Sequence, residues 1–307
     1  MVNDIILNNS ISDMINKKLL NGGECMITIF DWFGYEVPYK ERYHMIKKAG
    51  FDGVLLYWGN EFGNFNYKCL PEMARREGLF VENIHTSFNY INDLWLDNLH
   101  GREIVNYLLQ CVDDCSEYEI PAMIVHLTAG DNPPTINELG VDRIKVIIEK
   151  AEQKGVNFAL ENLRKTEHLG YILNHINSDR LGFCFDSGHQ NCRMKNIDLL
   201  SMYGDKLMAV HLHDNDESGD QHRMLFDGTI DWNDIMKKLT DIHYNGSLAL
   251  EIMNMGYEHI KEPEEFLAIA FERAKRLERF FRMEKRNDYN RHISRNNCIA
   301  PANEWNF

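Results

Sequence analysis

The sequence predicts an α/β fold, a single (β/α)8 TIM barrel, and three observations carry the prediction. Short apolar, β-branched runs alternate with segments of helical periodicity along most of the chain. These runs lack the in–out alternation of a half-exposed strand, as strands covered by helices do. The third observation is length: 307 residues is close to one such barrel, which typically needs about 250. A doubly wound sheet is the competing architecture, and it would bring a GxGxxG-type first turn that is absent here.

A polar leader, residues 1–25, carries a short helical pattern at 12–19. MITIF at 26–30 is the first strand and ends at Asp31-Trp32. Helical spacing over 38–49 stops at Gly50, a residue suited to the left-handed helix cap, and FDGVLLYW at 51–58 is the second strand. A helix at 67–77 ends at Gly78, and LFVENIH closes the third strand on His85 before a loop rich in aromatics and amides. A long amphipathic helix spans 101–118, AMIVH closes the fourth strand on His126, and Pro133-Pro134 keep the next loop irregular. A helix at 141–154, stopped by Gly155, leads to VNFALE and Glu161; a short helix near 171–176 leads to LGFCFD and Asp186. LMAVH ends on His211 and SLALE on Glu251, with a helix at 231–243, N-capped by Asp231, between them. A closing helix at 264–283 completes a barrel domain of residues 26–285. The polar, weakly basic stretch 286–307 reads as a tail that wraps the barrel or meets a neighbouring subunit in a homo-oligomer.

With 44% hydrophobic and 26% charged residues, the chain has globular composition and enough apolar mass for a large core. The formal net charge of −14 works against a phosphate backbone as partner, so nucleic acid is disfavoured. The N-terminus lacks the basic start and apolar core of a signal peptide, and no apolar run approaches the roughly 18 residues of a membrane span, so a cytoplasmic location is expected. Seven scattered cysteines without a CxxC pair read as reduced structural thiols.

Six consecutive strands end on His85, His126, Glu161, Asp186, His211 and Glu251. Carboxylates and imidazoles are costly to bury unless paired or bound to metal, so a run of six is hard to explain as packing. The stretch 209–232, AVHLHDNDESGDQHRMLFDGTIDW, adds Asp220 and His222 on a loop of turn-forming residues, and His189 follows Asp186 by three. Imidazole with carboxylate suits zinc or manganese, and nine such groups exceed what one cation needs; up to three are accommodated if a carboxylate bridges. His213 shares strand parity with His211 and reads as a supporting group rather than a ligand. Trp32, Tyr57 and Trp58 at the first two strand ends, with Phe88 and Trp95 after the third, are the aromatics expected to wall a small-molecule pocket.

The strand endings ALENL, CFDSGH, VHLHD, DQH and ALEI resemble the superfamily of xylose isomerase-like TIM barrels, across roughly residues 26–285. That superfamily joins sugar isomerases and epimerases to apurinic-site nucleases of the endonuclease IV type. In the epimerase branch the resemblance implies one divalent cation on Glu161, Asp186, His211 and Glu251, with His189 touching substrate. In the nuclease branch it implies three zinc ions on His85, His126, Glu161, Asp186, His189, His211, Asp220, His222 and Glu251. The loop from His211 to Asp220 is shorter than the nuclease pattern. The arginine expected after the seventh-strand histidine gives way to acids around Glu217, leaving Arg223 as its substitute. The expected activity is that of a divalent-metal-dependent sugar or sugar-phosphate isomerase or epimerase. In it Glu161 and Glu251 move the proton beside a carbonyl and His189 assists. The alternative is an endonuclease IV-like multi-zinc phosphodiesterase.

Overall fold

The computed structural model describes residues 25–60 and 66–297, with side chains through residue 288. The leader helix expected at 12–19 lies outside the described residues. Eight parallel strands run β1 (Ile27–Phe30), β2 (Gly53–Trp58), β3 (Phe80–Thr86), β4 (Ala122–Val125), β5 (Asn157–Glu161), β6 (Leu181–Asp186), β7 (Leu207–His211) and β8 (Leu248–Leu250). Each pairs with its sequence neighbour from β1 to β7, and β1 also pairs with β8. One parallel bridge between Leu212 and Leu250 closes the ring: Leu212 N–H donates to Ala249 O at 2.8 Å and Glu251 N–H donates to Leu212 O at 3.1 Å. The sheet is therefore a barrel rather than the open doubly wound alternative.

The helices are α1 (Tyr39–Ala49), α2 (Leu70–Arg76), α3 (Leu99–Glu117), α4 (Glu138–Lys154), α5 (Glu167–His175), α6 (Ser187–Arg193), α7 (Leu199–Tyr203), α8 (Trp232–Asp241) and α9 (Pro263–Asn297). Gly50 ends α1 at φ 112° and Gly155 ends α4 at φ 70°, conformations that strain any residue with a Cβ. Asp231 caps α8 by accepting from the N–H groups of Asn233 and Asp234. Two features depart from expectation. The β6–β7 connection holds α6 and α7, of seven and five residues, too short to show an apolar stripe in sequence. The boundary placed at 285 falls inside α9, because the change to polar composition there brings no glycine or proline to stop a helix. Among the described residues no helix is long and apolar enough to cross a membrane, and the six described cysteines are free thiols.

Two apolar regions hold the fold. The larger includes the layer between strands and helices, while a small one of Ile124, Ala159, Cys184 and Ala209 lies on the inward faces of β4 to β7. Gly53 and Gly182 allow tight packing in the sheet, since a Cβ would meet Phe80 O and Met208 Sδ, each at 2.4 Å. Small residues at this level leave the barrel mouth above them for large polar side chains.

Candidate metal centre at the barrel mouth

Side chains alternate along a strand, so residues two apart share the barrel's inner face. Cys184 is interior and Asp186 follows on the same face; Ala159 precedes Glu161 and Ala209 precedes His211 in the same way. Glu161, Asp186, His211 and Glu251 are all buried, as is His85. Glu161 is the hub. Its Oε2 lies 3.2 Å from His126 Nε2, 3.3 Å from His85 Nε2 and 3.4 Å from His211 Nδ1, and its Oε1 lies 3.1 Å from His189 Nδ1. His211 Nδ1 also faces Glu251 Oε2 at 3.1 Å. Ligand atoms of Glu161, Asp186, His211 and Glu251 all fall within 4.8 Å of one another, and so do those of His85, His126 and Glu161.

Both ring nitrogens of His211, Nδ1 of His189 and Oδ1 of Asp220 are buried without an aligned hydrogen-bond partner. Buried polar atoms are normally paired, so several unpaired imidazole and carboxylate atoms meeting at one mouth fit a divalent cation. Neighbouring groups fix their direction. The Nδ1–H groups of His85 and His222 donate to the carbonyls of Thr86 at 3.0 Å and Glu251 at 2.8 Å, which leaves each Nε2 free to face the site. Asp186 accepts the His189 N–H at 2.6 Å and so caps α6. Asn162, which the sequence reading passed over, clamps Asp186 through two backbone bonds of 2.9 and 2.7 Å. Its only signal in sequence is its place next to Glu161.

Burial opposes charge throughout this cluster, yet mutual pairing prevails. The carboxyl of Glu161 is held well below its usual range by His126 and His211 against the burial that would raise it, and Glu251 falls to about 2, chiefly through His211. Burial would lower His189, but Asp186, Asp220 and Glu161 hold it well above the usual imidazole value. His211 is raised in the same direction by Cys184, Glu251 and Glu161. His222 rises to about 9 through Asp220 and Glu251, whereas burial leaves His126 lowered.

All nine expected ligands converge: Asp220 Oδ2 lies 3.0 Å from His189 Nε2, and Asp220 Oδ1 lies 3.4 Å from His222 Nε2. The aromatics divide. Tyr57 stacks on His85 with ring centroids 6.3 Å apart, and Phe88 stacks on His126 at 4.8 Å, so these two flank the centre. Trp58, one residue along β2, faces outward; it is fully buried against Tyr67 and Tyr118 and donates its indole N–H to Asp114 at 3.0 Å. Trp95 is buried too, donating to Leu127 O at 2.7 Å, with its ring where a Cβ on Gly140 would sit. Neither Trp58 nor Trp95 walls the pocket, which corrects the expectation for both. Trp32 carries the Arg42 guanidinium 5.0 Å over its ring; the β1 residue that reaches His85 is Phe30, at 6.2 Å. Arg223 is taken up by Asp216 at 2.7 Å and by Asp227 O. Among the described residues, no lysine or arginine forms an ion pair with any of the nine.

Known proteins share this frame. The chain is 26% identical over 237 residues to the uncharacterized protein MJ1311 of Methanocaldococcus jannaschii, a match covering 70% of this chain and 79% of that one. A probable endonuclease 4 from Mycoplasma capricolum subsp. capricolum is 25% identical over 141 residues, covering 39% of this chain and 47% of the relative. An L-ribulose 3-epimerase structure superposes with a TM-score of 0.69 at 16% identity, over 92% of this chain and all of its own. The last two are a likeness over part of the chain and a likeness of fold. A sequence profile matches residues 43–276, most of the eight-stranded ring and the buried tetrad within it, and by that match the chain belongs to the xylose isomerase-like TIM barrel family.

Proposed function

We propose that the chain is a divalent-metal-dependent isomerase or epimerase of a small sugar, working by proton transfer beside a carbonyl. One observation supports this most: the carboxylates of Glu161 and Glu251 both lie beside His211 Nδ1, at 3.4 and 3.1 Å. A substrate carbon seated over the tetrad then has a carboxylate within reach on either side, one to take its proton and one to return it. A divalent cation of the zinc or manganese type, held by Glu161, Asp186, His211 and Glu251, would supply the positive charge that a carbonyl oxygen needs as the neighbouring carbon loses its proton. His189 Nδ1 lies 3.1 Å from Glu161 Oε1, and Tyr57 and Phe88, stacked on His85 and His126, would supply an apolar edge beside the sugar.

A second reading, phosphoester hydrolysis, is favoured by the triad of His85, His126 and Glu161. Glu161 Oε2 is common to this triad and to His211 of the tetrad, a bridging position that proton transfer does not require. Cations at both positions would supply the charge that phosphoryl transfer needs. Turnover in heavy water, with zinc or manganese and a panel of ketoses, their phosphates and keto-sugars, separates the two. Proton transfer labels a carbon beside the carbonyl, and Glu251→Gln loses labelling before it loses sugar binding. Cleavage of an abasic-site oligonucleotide or a simple phosphodiester, with no label across the panel, makes the hydrolase reading the correct one.

A further inference from the structure

The end of the barrel opposite the metal centre holds a carboxylate and an amide that neither reaction uses. In β3, Val81 and Asn83 pair with the consecutive residues Val54 and Leu55, so Glu82 is the extra residue of a β-bulge. Asn83 shares parity with His85 and lies inside the barrel, and the bulge turns Glu82 in beside it. Thr28 on β1 and Ser247 just before β8 each donate a hydroxyl to one oxygen of Glu82. These partners are neutral. Burial pushes the Glu82 carboxyl up, and among the described residues no lysine or arginine pairs with it to offset its charge. Asn83 is fully buried, and neither its amide oxygen nor its amide nitrogen has a hydrogen-bond partner. Buried amides are normally paired, so Asn83 offers both an acceptor and donors to a guest.

Both side chains line a cavity of about 170 Å³ at the N-terminal ends of the strands. A single water needs only about 15 Å³ of such space, so the room is for a molecule of several atoms. Phe80, Met208 and Phe281 give the cavity apolar walls, which suit an organic guest over a bare hydrated ion. Lys285 of α9 completes the lining. Its ammonium donates to Asn245 Oδ1 at 3.1 Å and lies 4.3 Å over the Phe281 ring, contacts that hold it in place and leave donors to spare. Glu82 and Lys285 share the cavity without pairing with each other. A purely cationic guest would meet the lysine, and a purely anionic one the glutamate. A guest carrying both charges satisfies both.

We infer that this cavity binds a small zwitterion of the amino-acid type, its ammonium against Glu82 and Asn83 and its carboxylate toward Lys285. The site shares no residue with the metal centre and rests on neither proposed reaction. Isothermal titration and thermal shift of the full chain test it with glycine, β-alanine, γ-aminobutyrate and 5-aminopentanoate, whose charged ends stand progressively further apart. Butylamine and butyrate, each with one charged end, are the controls. At least one of the zwitterions should raise Tm and bind about tenfold or more tighter than either control. Glu82→Gln should weaken that zwitterion about tenfold, and Lys285→Met should bring it down to the affinity of butylamine. If Glu82→Gln folds poorly, a wild-type crystal grown with the zwitterion decides, with its nitrogen expected about 2.7–2.9 Å from a Glu82 oxygen. No binding across the series, equal binding of zwitterions and controls, or unchanged affinity in either folded variant overturns the assignment. So does a crystal in which water alone fills the space beside Asn83, which would leave Glu82 as a brace between β1, β3 and the start of β8.

Discussion

Lowering the pH from 9 to 7 should weaken cation binding at His222 by about 100-fold. In the metal-free protein, burial disfavours the imidazolium, but the charges of Asp220, Glu251 and Asp186 outweigh it and raise the ring to about 9. The ring is therefore protonated at pH 7, while a cation requires it neutral, so binding expels a proton. With the proton-bound form favoured in the metal-free state, affinity is at full strength above about 9 and falls tenfold for each unit below it. Two units correspond to roughly 2.7 kcal/mol. His211, raised well above its usual value, adds the same dependence at the tetrad. Isothermal titration of zinc in buffers of different ionisation heat, at pH 7 and pH 9, counts the protons released. Affinity that is flat across this range, with no proton release at pH 7, would show that these rings are already neutral before the metal arrives and would refute the electrostatic reasoning.

Three further outcomes follow from particular contacts. Trp58→Phe should cost about 1–3 kcal/mol in denaturant unfolding by stripping a buried donor from Asp114 while leaving zinc content and sugar KM unchanged; a raised KM would return Trp58 to the pocket. Ser187→Ala removes both bonds to the His213 backbone and should lower stability by about 1–3 kcal/mol, read the same way. Because the proposed cation ligands converge only in the folded chain, zinc at 100 times its Kd should stabilise the protein by about 2.7 kcal/mol, and chelator should reverse the rise in Tm.

Much of the fold was legible because its signals are local. Apolar runs at 51–58 and 122–126, with caps at Gly50, Gly155 and Asp231, need only a few consecutive residues to specify a strand or a helix end, and these recur in the structure. The short helices α6 and α7 were illegible for the same reason: seven and five residues carry no periodicity, and their stability comes from what they pack against. Continuation of α9 past residue 285 shows that polar composition alone does not end a helix.

For the site, the sequence by itself determined which residue types stand at six consecutive strand ends, since a barrel brings every strand end to one face whatever the details of packing. What only the tertiary structure decided is where each side chain points and which atoms meet. Tyr57 and Trp58 are adjacent aromatics on a strand buried on both faces; its composition does not reveal which parity is interior, so inward Tyr57 and outward Trp58 look equivalent in one dimension. His189 and His213 are likewise two histidines near one mouth. Long-range pairing between α6 and the end of β7 seats one against Glu161 and the other between Asp186 and Asp220, because contacts of that range depend on register and on the absence of a Cβ at Gly188, neither of which is written locally around His213.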